Sequence, residues 1–258
     1  MHYDSDQEAQ PGTVYLAGAG PGDPNLLTLR AVTLLQTADV ILPDDLVTDE
    51  ILALASPTAD IIPVGKRCGQ PRITQSGIHA LMLEYAGQGR SVLRLKSGDP
   101  LVFGRAGEEI AFLREHDLPF EIVPGITAAF AVAATLQTPL TDRTAASKLI
   151  LATAHHAEGK LEVTPKWTGS FPEDATLVIY MPGRHFRALA DDLIASGIAP
   201  GTPCVAVSKA STPHEQVHAT TLHQITDEAV GPAPVILMIG HAIQPAQQPT
   251  RSLPPDSD

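Results

Sequence analysis

The sequence predicts an α/β fold of two units, each built on a mostly parallel sheet. Segments with the apolar pattern of strands alternate with segments of helical periodicity, an order typical of parallel sheets covered on both faces. Turns rich in glycine and proline end several predicted strands. At 258 residues the chain is long enough for two small domains. We expect a first unit at residues 13–140, a second at 141–243, and disordered tails at 1–12 and 244–258.

The first unit opens on the β-rich run Thr13–Ala17, which a glycine turn ends. A helix follows, because Asp23–Asn25 supplies capping groups and the apolar residues of Leu26–Leu35 repeat at roughly helical spacing. The alternation then continues through strand Ala38–Leu42, helix Ile51–Ala55, strand Asp60–Val64, helix Gly77–Gln88, strand Ser91–Leu95, helix Glu108–Glu115 and strand Phe120–Val123.

The second unit begins after Pro139–Arg143, which resembles the exit from the first unit. A stretch interrupted by glycine and proline, Gly159–Glu173, follows its first strand. Its predicted elements are strand Lys148–Thr153, strand Thr176–Tyr180, helix Arg187–Ala195, strand Cys204–Val207 and strand Val235–Ile239.

Composition limits the partners and the compartment. The formal net charge of −12 disfavours nucleic acid and anionic membranes, which are polyanions. No apolar run approaches the roughly 20 residues of a membrane helix. Because Met1–Gln10 is polar and acidic, without the basic and apolar regions of an export signal, we expect a cytoplasmic protein.

Cysteine and histidine spacing predicts neither a disulfide framework nor a metal site. Cys68 and Cys204 are far apart and form no metal-ligand motif, which fits a reducing compartment. The pair His155 and His156 has no third ligand at a matching interval, and adjacent side chains point apart.

The turn Gly18–Asp23 is the first candidate binding loop. It fits a dinucleotide site poorly, because Pro21 lacks an N–H donor and Asp23 would repel a phosphate, so a nicotinamide oxidoreductase is disfavoured. Two further loops, Lys96–Pro100 and Val123–Ala128, also follow predicted strands. Since such loops meet at the carboxyl edge of a parallel sheet, the three indicate one cleft.

Together these segments resemble the uroporphyrinogen-III C-methyltransferases of the tetrapyrrole methyltransferase family. The resemblance spans residues 13–243 and is densest in the first half. The segments that carry it are Gly18–Arg30, Asp44 before Leu46 and Val47, Val64–Arg67, Arg94–Arg105 with Gly107–Glu109, Pro124–Ala128 and Pro139–Thr141.

The resemblance implies a two-domain α/β fold that holds S-adenosylmethionine in a cleft between the domains, normally in a homodimer. It also implies two methyl transfers that convert uroporphyrinogen III to precorrin-2, on the way to sirohaem and cobalamin, with S-adenosylhomocysteine as the by-product. The alternatives are a methyltransferase for a later corrin precursor and a protein that binds S-adenosylmethionine without catalysis.

By position, the resemblance also implies roles for single residues. Asp44 is the expected proton acceptor and Lys66 the proton donor. Arginines are candidates to bind the eight substrate carboxylates, with Arg67 and Arg105 preferred over Arg72, Arg94, Arg143 and Arg184. The expected contacts of the methyl donor are Pro21, Ser97, Gly98, Asp99, Val102, Thr127, Ala128, Met181 and Ala210.

Five positions differ from the usual family pattern. Ser97 replaces a glycine, and Pro182 stands where glycine is common. Pro43, Pro71 and Asp142 stand where tyrosine, histidine and histidine are usual, respectively. These last three fall nearer the substrate side, so they bear on the substrate and its regiochemistry more than on the methyl donor.

Overall fold

The computed structural model describes residues 8–65, 73–154 and 171–243. The chain divides into two compact units, Met1–Ala128 and Ala129–Asp258. Within the described ranges, no helix is both long and apolar enough to cross a membrane.

The first unit is a parallel five-stranded sheet with the strand order β3-β2-β4-β1-β5. A short 3-10 helix, Pro24–Leu26, follows the first strand. The other elements are β1 (Val14–Gly18), α1 (Leu29–Thr37), β2 (Val40–Pro43), α2 (Asp49–Leu52), β3 (Asp60–Ile61), α3 (Gln75–Gly87), β4 (Val92–Lys96), α4 (Ala106–Glu115), β5 (Phe120–Val123) and the start of α5 (Ala128–Thr135).

Side chains of β1 alternate between the two faces of this sheet, and helices cover both faces. Tyr15 and Ala17 pack in a cluster with residues of α1, whereas Val14 and Leu16 pack in a second cluster with residues of α3 and α4. Successive strand side chains point to opposite faces, so an entirely apolar strand supplies two cores. The central strand is therefore buried along its whole length.

The first-unit helices differ from the predicted ones at their beginnings. The helix expected from Leu26 onward is divided, because Thr28 Oγ1 accepts a hydrogen bond from Ala31 N and so caps α1.

The helix α5 has no counterpart among the predicted elements. Its sequence is almost wholly apolar and carries no polar face, so no helical periodicity is visible.

The second unit is a mixed five-stranded sheet with the strand order β6-β7-β10-β8-β9. Only the pairing of β6 with β7 is parallel. A short 3-10 helix, Leu222–Gln224, follows β9. Its other elements are β6 (Lys148–Thr153), β7 (Ala175–Tyr180), α6 (Phe186–Ala195), β8 (Pro203–Ser208), β9 (Gln216–Thr221) and β10 (Val235–Ile239).

The α/β class is confirmed, but the expectation of a mostly parallel second sheet is wrong. Helix α6 crosses from β7 to β8, and β10 inserts between these two strands antiparallel to both. Strands β8 and β9 form a hairpin whose connection is too short for a parallel crossover. The edge strand β9 was not predicted from the sequence, because its residues are mostly polar and contain no apolar run.

The boundary between the units precedes the expected position near residue 140. Ala129 N donates to Tyr180 Oη at 3.2 Å, and Thr138 Oγ1 donates to the Ala242 carbonyl at 3.2 Å. The segment between them therefore packs with the second unit.

The expected tails fall partly outside the described residues, which exclude 1–7 and 244–258. Residues 8–12 are part of the first unit rather than a disordered tail. Ala9 N donates to Thr37 Oγ1 at 3.0 Å, and Gln10 N donates to Tyr15 Oη at 2.8 Å.

Cys204 on β8 is expected to resist thiol reagents in the folded protein. Its side chain is fully buried in the hydrophobic core of the second unit. This burial raises the pKa of the Cys204 thiol to about 12, so almost no thiolate forms at pH 8. Peptide-resolved mass spectrometry after alkylation distinguishes it from Cys68. We expect labelling of Cys204 only when denaturant unfolds the protein; equally fast labelling without denaturant would contradict this burial.

Candidate functional site

The loops that follow β1 and β4 are joined at the carboxyl edge of the first sheet. Because the strands are parallel, all of them end at this edge. Gly20 N donates to the Gly98 carbonyl at 3.1 Å, and Gly98 N donates to the Gly20 carbonyl at 2.7 Å. The structure thus brings together the turn Gly18–Asp23 and the loop Lys96–Pro100, as the sequence predicts.

The loop after β5 joins them through a backbone contact that only glycine permits. A Cβ atom on Gly125 would lie 2.2 Å from the Gly98 carbonyl oxygen and 2.8 Å from Gly18 Cα. A Cβ on Gly18 would lie 2.5 Å from the same oxygen. Three loops therefore meet backbone to backbone and present peptide groups instead of side chains.

Gly98 borders the open side of this glycine contact. It has a φ of +66°, in the left-handed region that favours glycine, and a Cβ there would meet only Thr127 Cα at 3.8 Å and Ala128 N at 4.0 Å. Thr127 is buried and Ala128 is half-buried at the start of α5. The structure thus brings these three predicted contacts of the methyl donor to one place.

Asp99 fixes the same loops with its carboxylate. Oδ1 accepts a hydrogen bond from Leu101 N at 2.8 Å, and Oδ2 accepts one from Gly125 N at 3.0 Å. The half-buried side chain therefore ties the loop after β4 to the loop after β5. In this arrangement Asp99 orders the backbone around Ser97 and Gly98.

The remaining first-unit positions lie in the same loops. Pro21 is half-buried in the turn after β1, and Val102 N donates to the Asp99 carbonyl at 3.2 Å. Asp23 accepts from Asn25 N at 2.8 Å and caps the short 3-10 helix. Its carboxylate thus has a structural function in this turn.

Asp44 lies directly after β2, beside this group of loops. Its backbone N donates to the Leu95 carbonyl at 2.9 Å, which anchors it to β4. Its side chain is 30% exposed, and Oδ1 accepts a short hydrogen bond from Arg94 Nη2. The guanidinium therefore fixes the orientation of a carboxylate that a bound ligand could reach from solvent.

Arg94 belongs to the interior and is unsuited to binding substrate carboxylates. Its side chain is 2% exposed, Nη1 donates to the Leu42 carbonyl at 3.0 Å, and Nε donates to Glu109 Oε1 at 3.0 Å. The expectation that Arg94 is a candidate to bind a substrate carboxylate is therefore wrong.

The ion pairs continue inward to Glu109 and Lys96, which are 0% and 2% exposed. Lys96 Nζ lies 3.1 Å from Glu109 Oε1 and 3.0 Å from Oε2. Burial lowers the pKa of Lys96 and the neighbouring Arg94 lowers it further, whereas Glu109 raises it. This network was not predicted from the sequence. The sequence pattern that could have indicated the network is a pair of cations, Arg94 and Lys96, at alternate positions of an otherwise apolar strand. Alternate positions lie on one face of a strand.

Arg105 lies at the beginning of α4 with its side chain 51% exposed. Its Nε and Nη2 donate to Glu108 Oε1 and Oε2 at 2.8 and 2.7 Å, and these hydrogen bonds raise the pKa of Arg105. The guanidinium therefore already has a carboxylate partner, which a substrate carboxylate would have to displace. Of the other candidate arginines, Arg143 and Arg184 are exposed, whereas Arg67 and Arg72 lie outside the described residues, as do Lys66 and Pro71.

In the second unit, Met181 and Ala210 lie at one edge of the sheet. They follow β7 and β8, whose last residues Tyr180 and Ser208 pair with adjacent residues of β10. Met181 is 46% exposed with a φ of +49°, and the neighbours of Ala210, Lys209 and Ser211, have φ of +50° and +60°. Left-handed backbone at residues other than glycine concentrates at functional sites.

Two of the positions that differ from the family pattern have local structural roles. Pro43 is the last residue of β2 and is buried. Asp142 Oδ1 accepts from Thr144 N at 2.8 Å and from Thr144 Oγ1 at 2.5 Å, and these hydrogen bonds lower the pKa of Asp142.

Among the described residues, no group of three His, Cys, Asp or Glu side chains is placed to hold a metal ion.

Comparisons with known proteins agree with one another. A profile of the family described as tetrapyrrole (corrin/porphyrin) methylases matches residues 13–226. Siroheme synthase 2 of Halorhodospira halophila is 44% identical over 91% of this chain and 48% of its own length. The chloroplastic S-adenosyl-L-methionine-dependent uroporphyrinogen III methyltransferase of Arabidopsis thaliana is 40% identical over 91% of this chain and 64% of its own length. The chain thus spans about half the length of the siroheme synthases that it matches.

The structural comparison gives the same result. The crystal structure of a Thermus thermophilus uroporphyrin-III C-methyltransferase complexed with S-adenyl homocysteine superposes with a TM-score of 0.73 and 36% sequence identity. The match covers 89% of this chain and 92% of the Thermus chain.

Proposed function

This chain belongs to the tetrapyrrole (corrin/porphyrin) methylases, and on that premise we propose that it transfers two methyl groups from S-adenosylmethionine to ring carbons of uroporphyrinogen III. The product would be precorrin-2, the precursor of sirohaem and cobalamin. The observation that carries this proposal is the glycine contact at the carboxyl edge of the first sheet, with the partly exposed Asp44 carboxylate beside it.

The glycine contact suits a donor that carries no phosphate. A Cβ on Gly98 would meet only Thr127 Cα and Ala128 N, so a ligand can approach the bare backbone there closely, while Pro21 and the Asp23 carboxylate would disfavour a phosphate. The proposed contacts in the first unit are Pro21, Ser97, Gly98, Asp99, Val102, Thr127 and Ala128. We propose that the second unit contributes Met181 and Ala210.

Positioning supplies most of the rate in this proposal. Bound S-adenosylmethionine would supply an activated methyl group for the ring carbon, and S-adenosylhomocysteine would be the leaving group that keeps the bonding electron pair. Rigid loops that align the two reacting carbons are worth up to about 7–11 kcal/mol. The glycine contact and the two hydrogen bonds of Asp99 give the first unit that rigidity.

Asp44 completes each transfer by accepting a proton. Methylation leaves the pyrrole ring positively charged, and loss of a proton from a neighbouring carbon restores its neutral conjugation. The Asp44 carboxylate takes that proton. Lys66, which matches the family's proton donor, gives a proton elsewhere on the macrocycle or binds one of its carboxylates.

Exposed apolar and basic side chains fit a macrocycle with eight carboxylates. Leu46 follows Asp44 and is 51% exposed, while Leu101 and Phe103, in the loop after β4, are 62% and 38% exposed. Arg67 and Arg105 are the proposed partners of the substrate carboxylates, because guanidinium groups bind carboxylates in bidentate geometry. Such local contacts suffice even where the net charge is negative.

The assembly and the compartment are proposed on the family resemblance and on composition. We propose a homodimer in the cytoplasm. Light scattering coupled to size-exclusion chromatography tests the dimer: a monomer at micromolar concentration would contradict it.

One assay distinguishes the proposed function from its alternatives. The purified protein is incubated without oxygen with methyl-labelled S-adenosylmethionine and uroporphyrinogen III. Label in the tetrapyrrole supports the methyltransferase. Bound label without transfer would support a non-catalytic binding protein, and transfer only to later corrin precursors would support the other methyltransferase. Turnover that requires a nicotinamide instead would support an oxidoreductase.

A further inference from the structure

We propose that Glu109 is a positioning residue for this reaction, which orients Arg94 and through Arg94 sets the place of the Asp44 carboxylate. The proposal rests on the proposed function, because that function gives Asp44 its role. Glu109 does not face the ligand itself: its side chain is wholly buried under α4.

Arg94 connects the two carboxylates with a guanidinium whose orientation is fully specified. Nε donates to Glu109 Oε1 at 3.0 Å, Nη1 donates to the Leu42 carbonyl at 3.0 Å, and Nη2 donates to Asp44 Oδ1. Nη1 also lies 3.4 Å from the Leu95 carbonyl, and a planar fork held by four acceptors has no freedom to rotate. Moving the acceptor of Nε therefore turns Nη2 and displaces the carboxylate that it holds.

Glu109 is itself held by three secondary-structure elements. It lies on α4, and its Oε1 accepts from Arg94 Nε and Lys96 Nζ on β4 and from Gln75 Nε2 on α3, the last at 3.2 Å. The carboxylate therefore has a fixed position in the scaffold, whereas Asp44 lies in a loop and is partly exposed. A buried group with several fixed partners can orient a partly exposed group in a loop.

The charges alternate along the network, and Glu109 is the one that keeps Arg94 in place. Asp44, Arg94, Glu109 and Lys96 give two carboxylates and two cations in sequence. Arg94 and Lys96 carry like charges, and Glu109 forms an ion pair with each of them. Without the charge of Glu109, Lys96 would lose the carboxylate that it contacts, and Arg94 would keep Asp44 as a carboxylate partner.

Stability alone is a weak explanation for such a network, because well-packed apolar residues are often equally stable in place of buried ion pairs. Of the four charged side chains, Arg94, Glu109 and Lys96 are at most 2% exposed, whereas Asp44, the proposed proton acceptor, is 30% exposed. A network that ends on the reacting group accounts for three buried charges beneath one loop.

A double-substitution cycle tests this proposal by comparing Glu109→Gln, Asp44→Asn and the double variant. The measured quantities are kcat and KM for methyl transfer and the affinity for S-adenosylmethionine. Because Lys96 Nζ lies 3.1 Å from Oε1 and 3.0 Å from Oε2 of Glu109, the NH2 group of the amide in Glu109→Gln would face the ammonium group in either orientation, so the acceptor of Arg94 Nε must move. We expect Glu109→Gln to lower kcat about tenfold to a hundredfold, as misplacement by about 1 Å does elsewhere, with KM and cofactor affinity changed less than about twofold. In the Asp44→Asn background, the same substitution is expected to lower kcat less than about twofold, because its target is already gone.

The matched control is Glu115→Gln, an exposed glutamate at the end of the same helix, and it should leave kcat unchanged. If Glu109→Gln does not fold, the cycle is repeated in a Lys96→Met background, where Glu109→Gln removes the second charge of a buried pair of opposite charges. The kcat of the Lys96→Met variant is then the reference value. Either cycle overturns the proposal if the loss of kcat is equal in both backgrounds, since Glu109 would then act independently of Asp44. If Asp44→Asn alone retains full turnover, the proposed role of Asp44 fails first and the proposal falls with it.

Discussion

Asp44→Asn is expected to lower the turnover of methyl transfer by about 10²–10⁴-fold, the usual contribution of a general base. The amide oxygen still accepts a hydrogen bond from Arg94, so the loop after β2 should keep its position. What disappears is the ability to take a proton from the methylated ring. Single-turnover kinetics with labelled donor measure this step directly.

The affinity for S-adenosylmethionine should change little in Asp44→Asn, because the proposed donor contacts lie in other loops. Asp45→Asn is the matched control: Asp45 is the adjacent exposed carboxylate, and its substitution should alter turnover less than about twofold. A large loss of cofactor affinity in Asp44→Asn would place Asp44 on the donor side of the site. Full turnover in the same variant would remove it from the mechanism.

Gly125→Ala is expected to abolish tight cofactor binding and to destabilise the first unit. The new Cβ would lie 2.2 Å from the Gly98 carbonyl oxygen and 2.8 Å from Gly18 Cα, both of them backbone atoms with no freedom to rotate away. The loops must separate, which also lengthens the hydrogen bond from Gly125 N to Asp99. We expect a loss of about 1–3 kcal/mol or more in the free energy of unfolding, as for other overpacked sites, and at least a tenfold rise in the Kd of S-adenosylmethionine, equivalent to about 1.4 kcal/mol.

Calorimetry of unfolding and of cofactor binding measures both effects in Gly125→Ala. Gly107→Ala is the control, because a Cβ on Gly107 meets nothing within 4 Å and the residue lies in the first turn of α4. That substitution should be neutral or stabilise by up to about 1 kcal/mol. Wild-type affinity in Gly125→Ala would show that the glycine contact is not needed for the donor.

The first unit could be predicted from sequence because its strands are short apolar runs between glycine and proline turns. Such runs, alternating with helices, lead to a buried parallel sheet, and the topology of that sheet places the following loops at one edge. The positions of Gly18 and Gly98 followed from this rule, whereas Asp44 was implied only by the family resemblance. The exact contacts of the two glycines did not follow from it, because the approach of one backbone to another depends on loop conformations that no periodicity encodes.

The features that sequence reasoning missed depend on long-range pairing. Strand β10 lies between β7 and β8, an arrangement that the order of elements along the chain does not reveal. Likewise, Arg94 and Glu109 are paired only because α4 packs against the face of β4 that carries both cations. Read singly, Arg94 resembles a ligand for substrate carboxylates; once its neighbours are known, it is an interior residue.

The most direct test of the central claim is the number of methyl groups that one uroporphyrinogen III molecule gains. Anaerobic turnover with excess S-adenosylmethionine, followed by mass spectrometry and absorption spectroscopy of the tetrapyrrole, gives this number and the chromophore together. We expect a product with two added methyl groups and the chromophore of precorrin-2, with two molecules of S-adenosylhomocysteine formed for each. A tetrapyrrole that gains no methyl group while the protein binds S-adenosylmethionine would contradict the proposed catalysis.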